Sequence, residues 1–474
     1  MQNKYLVGIV LLGLVFRLIN LDQSLWLDEA TSILVARDFS VSQILTKFSP
    51  GDFHPPLYYL VLHFWIYLFG SSEIGARSLS VFLGLLGIIL IYMIGSKLFS
   101  KNVGLVAALL LSIAPLHIYY SQEARMYVPA STIALAVVWF FLRVVEGPRN
   151  LLFWVLFSLS SILLIYTDYP LLFLFPFLGV YLIAFQRKML AENIKKWSVL
   201  VLALVLSFGI WSQTFYSQFL VSMAVKTDVP GWWMVLGGVN AKQLALVPIK
   251  FMVGRISSYD KEIYALGVGI AALVFLIPLK NSLLNWKNTK FTWLWLIVPL
   301  LLAALVGLKL SIYSYFRFLF VLPAFYLLVA AGGSFCRNNN LKRLLLVGVI
   351  AVNLTSTSIY LFNPRFHRED WKSAVSWIEN NSQDSTTAIF VANSQRDPYR
   401  YYSQTVPSYG PEGVNGGYQF IWLVRFSQPI FDPKDKLRHD IENAGYKKIE
   451  EKDFNGVVIW KYEKSNSLAY ANRY

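Results

Sequence analysis

Charge is scarce in this chain. Asp, Glu, Lys and Arg make up 15 % of its 474 residues, and hydrophobic residues make up 56 %. An ordinary soluble domain carries about 25 % charged residues. With so few charges and a mean hydropathy of +0.50, a fully solvated surface is excluded. Cysteine is almost absent: Cys336 stands alone, which rules out an internal disulfide and any cysteine-based metal site. Histidine is rare too, at five residues. No P-loop, no GxGxxG at a strand–helix junction and no GxSxG occurs, so nothing points to nucleotide-driven or serine-hydrolase chemistry. Aromatics, in contrast, are abundant, with 34 Phe, 27 Tyr and 15 Trp, and this excludes a disordered chain. A polytopic membrane protein remains.

The net charge of +15 would suggest nucleic acid in a soluble protein. Here the basic residues cluster between apolar runs, as cytoplasmic loops do. A basic surface also suits an anionic lipid or a phosphate. Apolar runs of the length that crosses about 30 Å of hydrocarbon lie near 5–21, 79–96, 103–119, 128–143, 151–167, 169–185, 198–217, 263–279, 292–308, 316–335 and 343–362. Eleven spans with a cytoplasmic N-terminus put Lys97 and Lys101 inside, then Arg143 and Arg149, then Arg187, Lys188, Lys195 and Lys196. Lys280, Lys287 and Lys290 follow, and finally Arg337, Lys342 and Arg343. Counting Leu57–Phe69 as a span would turn these clusters outward. That run is therefore expected to lie at the outer interface, started by Pro55-Pro56. Lys4 precedes the first run and no small-residue cleavage site follows it, which reads as a retained signal anchor.

The expected architecture is an all-α polytopic membrane protein of about eleven helices with a small extracytoplasmic α/β C-terminal domain. The transmembrane region would cover 1–362, with outer loops 22–78, 119–128 and 218–261, and the domain would cover 363–474. In that domain Asp370 precedes a helical pattern of Trp371, Val375 and Ile378. Thr387 to Ala392 reads as a strand, 433–444 as a charged helix, and Val457 to Trp460 as a second strand. The expected location is the plasma (inner) membrane.

Four stretches carry residues suited to chemistry. Trp26-Leu27-Asp28-Glu29-Ala30 places two adjacent carboxylates just beyond the first span. Like charges at a membrane surface are costly, so one of them suits a general base. The alternative is a helix start, with Asp28 as N-cap and Glu29 in the first turn. Tyr119 to Tyr127 holds Glu123 and Arg125 beside hydrocarbon, where ionisable groups are functional candidates. A self-paired Glu-Arg that snorkels to water is the plainer option. In Asp52-Phe53-His54-Pro55-Pro56 the prolines stiffen the backbone that carries His54, a phosphate ligand, an acid or base, or simply a solvated loop residue. Lys309 to Phe318 contributes Lys309, Tyr315 and Arg317 as a basic and aromatic rim, which an ordinary interfacial belt also shows. Lys250 and Arg255 in the 218–261 loop are weaker candidates. A divalent metal held by His54, His63 and His117 near Glu123 is an option without supporting ligand spacing; no metal ligands are assigned.

Taken in order, Trp26 to Ala30, His54 to Tyr59, Gly75-Ala76-Arg77, Gln122 to Tyr127 and Arg368-Glu369-Asp370-Trp371 resemble the GT-C superfamily of membrane glycosyltransferases. The nearest branch holds protein O-mannosyltransferases, lipid A aminoarabinose transferases and bacterial Rgt-like enzymes. The likeness is strongest over about 20–145. It implies a polyprenyl-phosphate-linked monosaccharide as donor. The acceptor would lie on the outer face, a cell-envelope glycan or glycolipid such as lipopolysaccharide, or a protein, and transfer would invert the anomeric carbon. It also implies an acidic base at Asp28, with Glu29 beside it, and a second acidic residue at Glu123. His54, Arg125, Tyr127, Lys309, Tyr315 and Arg317 would serve the donor phosphate and substrate. Two positions depart from the pattern: Glu123 stands where some relatives have Asp, and His54 where the aminoarabinose enzymes have Lys. A transporter or flippase for a lipid-linked sugar is the rival. Its hallmark would be charges near the bilayer midplane, whereas the ionisable residues here fall at the rims.

Overall fold

The computed structural model describes residues 2–465, so the last residues of the expected C-terminal domain, 466–474, lie outside the described residues. Its long helices follow local capping chemistry. Glu73–Leu98 begins at Ser72, whose hydroxyl accepts from Gly75 N, carries Glu73 in its first turn and ends with Lys97 in its last. Its 26 residues extend about 39 Å at 1.5 Å per residue, enough to cross a bilayer. Lys101–Ser112 starts the same way, with Ser100 Oγ accepting from Val103 N. It breaks at Ile113-Ala114, and Pro115–Ser121 continues after a bend of 60°. Pro115 lacks the N–H that a straight helix would use.

Each of the eleven expected spans coincides with a helix or with two consecutive helical segments. By length and composition, seven helices among the described residues could cross a membrane, or eight with the bent pair as one span. The difference between eight and the expected eleven is made up by the shorter helices Gln2–Leu18, Leu151–Ile165 and Tyr169–Phe185. Leu57–Phe69 is helical as expected. One boundary is corrected: the helix expected to end at 217 runs from Ile194 to Asp228. No Pro or Gly interrupts it between 210 and 228, so nothing local stops it there. The rest of that stretch is also largely helical, as Pro230–Leu236 and Ala241–Val253.

Many spanning helices leave apolar side chains uncovered. Leu266, Ile270 and Leu273 on Lys261–Leu284 are all exposed at helical spacing. A row of this kind suits lipid rather than water. Inside the bundle, small residues allow close approach. A Cβ on Gly104 would meet the Tyr92 carbonyl at 2.6 Å, so Glu73–Leu98 and Lys101–Ser112 pack backbone to backbone there.

The chain divides into two compact units: Met1–Leu21, Ser40–Ser222 and Leu236–Phe366 form one, and Asp22–Phe39, Met223–Val235 and His367–Tyr474 the other. The second unit contains a five-stranded sheet. Its strands are β1 (Thr386–Phe390), β2 (Ser408–Tyr409), β3 (Phe420–Val424), β4 (Tyr446–Phe454) and β5 (Val457–Lys464). The order is β2-β1-β3-β5-β4. β1 runs parallel to both neighbours, whereas β5 is antiparallel to β3 and β4. Asn455 and Gly456 join β4 to β5 with φ of 50° and 98°, the positive pair that a tight hairpin turn requires. Trp371–Asn380 covers one face of the sheet. Asp370 caps it by accepting from Ser373 N, and Trp371, Val375 and Ile378 pack against Ala388, Phe390 and Trp422. The expected helix at 433–444 shortens to Lys436–Asn443, the strand expected at Thr387 to Ala392 is Thr386–Phe390, ending two residues earlier, and the strand expected at Val457 to Trp460 extends to Lys464.

Candidate active site

In the first unit the expected outer stretches do not lie loose. Residues 113–132 are almost wholly buried. Tyr119 to Tyr127 is clamped by the end of the first helix, Gln2–Leu18. Gln122 Nε2 donates to the carbonyls of Phe16, Arg17 and Ile19, the last at 2.6 Å, and Gln122 Oε1 accepts from Tyr360 Oη at 2.7 Å. Those carbonyls are the orphan acceptors of a helix C-terminus, so one amide satisfies the helix end and fixes the turn. Arg77 Nη1 adds a bond of 2.9 Å to the Leu21 carbonyl, and Ser80 Oγ donates to the Glu123 carbonyl at 2.7 Å.

This clamp holds Glu123 and Arg125, both buried, in one turn. Arg125 Nη1 donates to Tyr59 Oη at 3.4 Å, and Tyr59 Oη donates to Asp52 Oδ2 at 2.7 Å. The Tyr120, Tyr127 and Phe316 rings form a wall. Centroids are 5.1 Å apart for Tyr120–Tyr127 and 5.3 Å for Tyr127–Phe316. Tyr315 and Arg317 sit on the same short helical segment as Phe316, Tyr315–Val321. Arg317 is half-buried, and its Nε makes no hydrogen bond among the described residues. The structure therefore gathers Glu123, Tyr127 and Tyr315 around one aromatic cluster. Lys309 stands apart: it is exposed in the turn after Gly307, and its side chain makes no hydrogen bond or ion pair among the described residues.

Arg255 is the residue that sequence reasoning ranked too low. Its guanidinium lies 4.4 Å from the Tyr119 ring centroid and donates to the Tyr119 hydroxyl. Tyr120, Tyr315 and Glu123 are close enough to interact with it electrostatically. Two local features bring it there. Gly254 adopts φ +67° and leaves no room for a side chain, since a Cβ would meet Pro115 Cβ at 2.8 Å. Lys250 Nζ donates to the Ile256 carbonyl at 3.0 Å and to Tyr264 Oη at 3.3 Å, which ties the loop on either side of Arg255. Burial, and then the neighbouring Arg255 cation, lower the Lys250 ammonium to about 8. The Gly254-Arg255 pair, a chain reversal followed at once by a cation, was the available signal.

His54 is buried, and its Nδ1 lies 3.3 Å from Asp168 Oδ1. No group of three or more His, Cys, Asp or Glu among the described residues could hold a metal ion. His117 is engaged elsewhere, 2.8 Å from Arg17 Nη2.

Asp28 and Glu29 belong to the second unit. The expected cap is corrected: Trp26, not Asp28, takes the N-cap position of Leu27–Asp38, and both carboxylates fall in the first turn. The reason is that the Trp26 carbonyl already accepts from Ala30 N at 3.0 Å, which starts the helix earlier. The two carboxylates then diverge. Glu29 is fully buried, with Oε2 at 3.6 Å from Nε of the buried Arg368. Asp28 is only half-buried. Thr31, one turn on from Leu27, donates to Asp397 at 2.8 Å, and Leu25 N donates to Tyr402 Oη at 2.9 Å. The segment carrying Asp28 is thus built into the unit that holds the sheet.

Comparison with known proteins gives three findings. A family model described as dolichyl-phosphate-mannose-protein mannosyltransferase matches residues 53–211. An uncharacterized protein of Aquifex aeolicus is 23 % identical over 338 residues, 68 % of this chain and 60 % of its own length. This chain therefore spans less than two thirds of that relative. Among solved structures, ArnT from Cupriavidus metallidurans bound to undecaprenyl phosphate superposes with a TM-score of 0.59 at 13 % identity, covering 98 % of both chains. The archaeal oligosaccharyltransferase AglB from Archaeoglobus fulgidus, in complex with an inhibitory peptide and a dolichol-phosphate, gives 0.58 at 10 % identity, over 97 % of this chain and 74 % of its own.

Proposed function

We propose that this chain, an integral membrane protein with the GT-C glycosyltransferase fold, transfers a monosaccharide from a polyprenyl-phosphate donor to an acceptor hydroxyl, with inversion at the anomeric carbon. The acceptor is a cell-envelope glycan or glycolipid, or a protein, on the outer side of the membrane. The observation that carries this reading is the clamped turn of Glu123 and Arg125, with Arg255 beside it and a tyrosine wall around it.

The chemistry follows from what each partner needs. A sugar phosphate is already a fair leaving group. It requires stabilisation of the charge that develops as the bond from the anomeric carbon to the phosphate oxygen breaks. Arg255, Arg317 and Arg125 supply planar guanidinium groups suited to phosphate oxygens, with His54 as a further donor and Lys309 as an outlying cation. Tyr127 and Tyr315 offer ring faces and hydroxyls to the sugar. The acceptor hydroxyl is a poor nucleophile. Its proton passes to a carboxylate as its oxygen bonds the anomeric carbon from the side opposite the phosphate. Asp28 is the base in this reading: of the adjacent pair it is the less buried, and Glu29 is already held by Arg368. Glu123 orients the acceptor or shares the proton. One base and no covalent intermediate suffice for inversion, unlike the paired-carboxylate retaining route.

The test is sugar transfer by the purified chain from a panel of short-chain polyprenyl-phosphate sugars to envelope extracts, beside Asp28→Asn. Transfer that is lost in the variant supports the reading. Transport of donor across sealed vesicles with no transfer would point to a flippase instead.

A further inference from the structure

We propose that Asp168 is a positioning residue that fixes the imidazole of His54, so that Nε2 is the nitrogen presented to an oxyanion of the donor. This rests on the reading of His54 as a donor-phosphate ligand and adds to it a residue from a distant part of the chain.

The peptide around His54 is held at both ends before the ring is considered. Its N–H donates to Asp52 Oδ2 at 3.4 Å, and its carbonyl accepts from Gln218 Nε2 at 2.8 Å. Gln218 Nε2 also donates to the Ser49 carbonyl at 2.7 Å, while its Oε1 accepts from Tyr169 Oη. Trp211 Nε1 donates to Tyr169 Oη at 3.1 Å. Two residues after Pro55, Leu57 N donates to the Tyr166 carbonyl at 3.0 Å. Ser49 to Leu57 is thereby pinned to the 166–169 turn and to the helix Ile194–Asp228.

Asp168 completes the arrangement. It lies between the helix Leu151–Ile165 and the short helical turn Tyr169–Phe173, with extended φ and ψ of −161° and 135°. Its carboxylate is only 5 % exposed and faces Nδ1 of a ring that is 9 % exposed. An ionised carboxylate can only accept, so the bond at 3.3 Å requires the proton on Nδ1. A carboxylate that binds one ring nitrogen sets both the tautomer and the ring orientation, and the other nitrogen becomes the working one. The other titratable groups around the loop are Asp52, Tyr59 and Tyr169, with Arg125 on the far side of Tyr59. Gln218, the contact from the long helix, is uncharged. None of these takes the place of Asp168 at Nδ1. A lysine at position 54 would need no such partner, because its ammonium has three rotatable donors and no tautomer to fix.

A double-mutant cycle in donor kinetics tests this. Asp168→Asn should lower kcat/KM for the lipid-phosphate sugar about tenfold in the chain with His54. In a His54→Lys background the same change should cost at most about twofold. Equal losses in both backgrounds would mean that Asp168 acts on its own or on the fold, and would overturn the proposal. A structural measurement needs no transfer activity. In the wild-type protein, labelled at histidine nitrogen and assigned with His54→Gln, the neutral His54 ring should show its proton on Nδ1. A proton on Nε2 would overturn the proposal even if Asp168→Asn fails to fold. Undiminished transfer by His54→Gln would remove the phosphate role of His54 and overturn the proposal, while leaving the reading of the chain as a transferase in place.

Discussion

Arg17 Nη1 donates to the Ser112 carbonyl at 3.0 Å, at the point where the helix Lys101–Ser112 breaks. The same guanidinium bonds the Gly13 carbonyl at 2.8 Å and Ser121 Oγ at 3.1 Å, and lies 2.8 Å from His117 Nδ1. A cation inside an apolar run is costly. Here it is offset by the Ser112 carbonyl, which the break leaves without an intrahelical donor, and by the Gly13 carbonyl and Ser121 hydroxyl. Arg17 therefore joins the first helix to the bent pair that leads into the Glu123 turn. Arg17→Met should destabilise the fold by about 3 kcal/mol, because it orphans buried acceptors. Arg17→Lys should recover part of the loss. Thermal unfolding in detergent reads both; an unchanged midpoint for Arg17→Met would contradict this account.

Asp28 and Glu29 should separate experimentally although they are adjacent. Asp28→Asn should lower transfer by about 10²-fold or more, with a smaller loss of stability than Glu29→Gln, because Asp28 is the less buried of the two. Glu29→Gln removes the charge that faces buried Arg368. It should cost about 3 kcal/mol of stability, whatever it does to transfer. Turnover and thermal unfolding measured on the same two preparations check the contrast, and a reversed pattern would exchange their roles.

Arg255→Gln should weaken use of the donor about tenfold in kcat/KM. Arg255→Lys should recover only part, because an ammonium cannot reproduce a planar fork stacked on the Tyr119 ring. Steady-state kinetics with varied donor and fixed acceptor would show it. Full activity in Arg255→Gln would remove it from the phosphate site.

Lys250 gives a pH-dependent prediction. Its folded-state value is lowered from 10.5 to about 8. Between those values the unfolded chain holds a proton that the folded chain has released, so stability from this group rises with pH. Below about pH 8 both states are protonated, and the cost of burying the cation is constant. Denaturant unfolding between pH 7.5 and 10 should show a rise that Lys250→Met flattens. An identical slope in the variant would assign the rise to another group.

Much of the helical skeleton was legible because membrane burial imposes long apolar runs and leaves basic residues between them. The Asp370 cap and the Trp371, Val375, Ile378 stripe were legible for a similar reason, being local chemistry with a period of 3.6. β4 was not read. Its sequence, Tyr446 to Phe454, is mostly charged, and its edge position with one apolar neighbour strand leaves no alternating pattern. The Asn455-Gly456 dipeptide was the usable signal. The candidate site divides in the same way. Glu123, Arg125 and Tyr127 sit together in the sequence and could be found there. Arg255 stood out only weakly and Asp168 not at all as a site residue, because only folding brings them beside Tyr119 and His54.

The sequence by itself determined the membrane class, the order of the helices, the basic loops and the short stretches in which chemistry concentrates, since each depends on composition or on spacing within one helix. Tertiary structure alone decided which charges are paired. Glu29 meets Arg368, Arg17 meets the carbonyls of a broken helix, and His54 meets Asp168. These partners lie from about a hundred to several hundred residues apart, and a buried charge persists only where folding delivers the group that satisfies it.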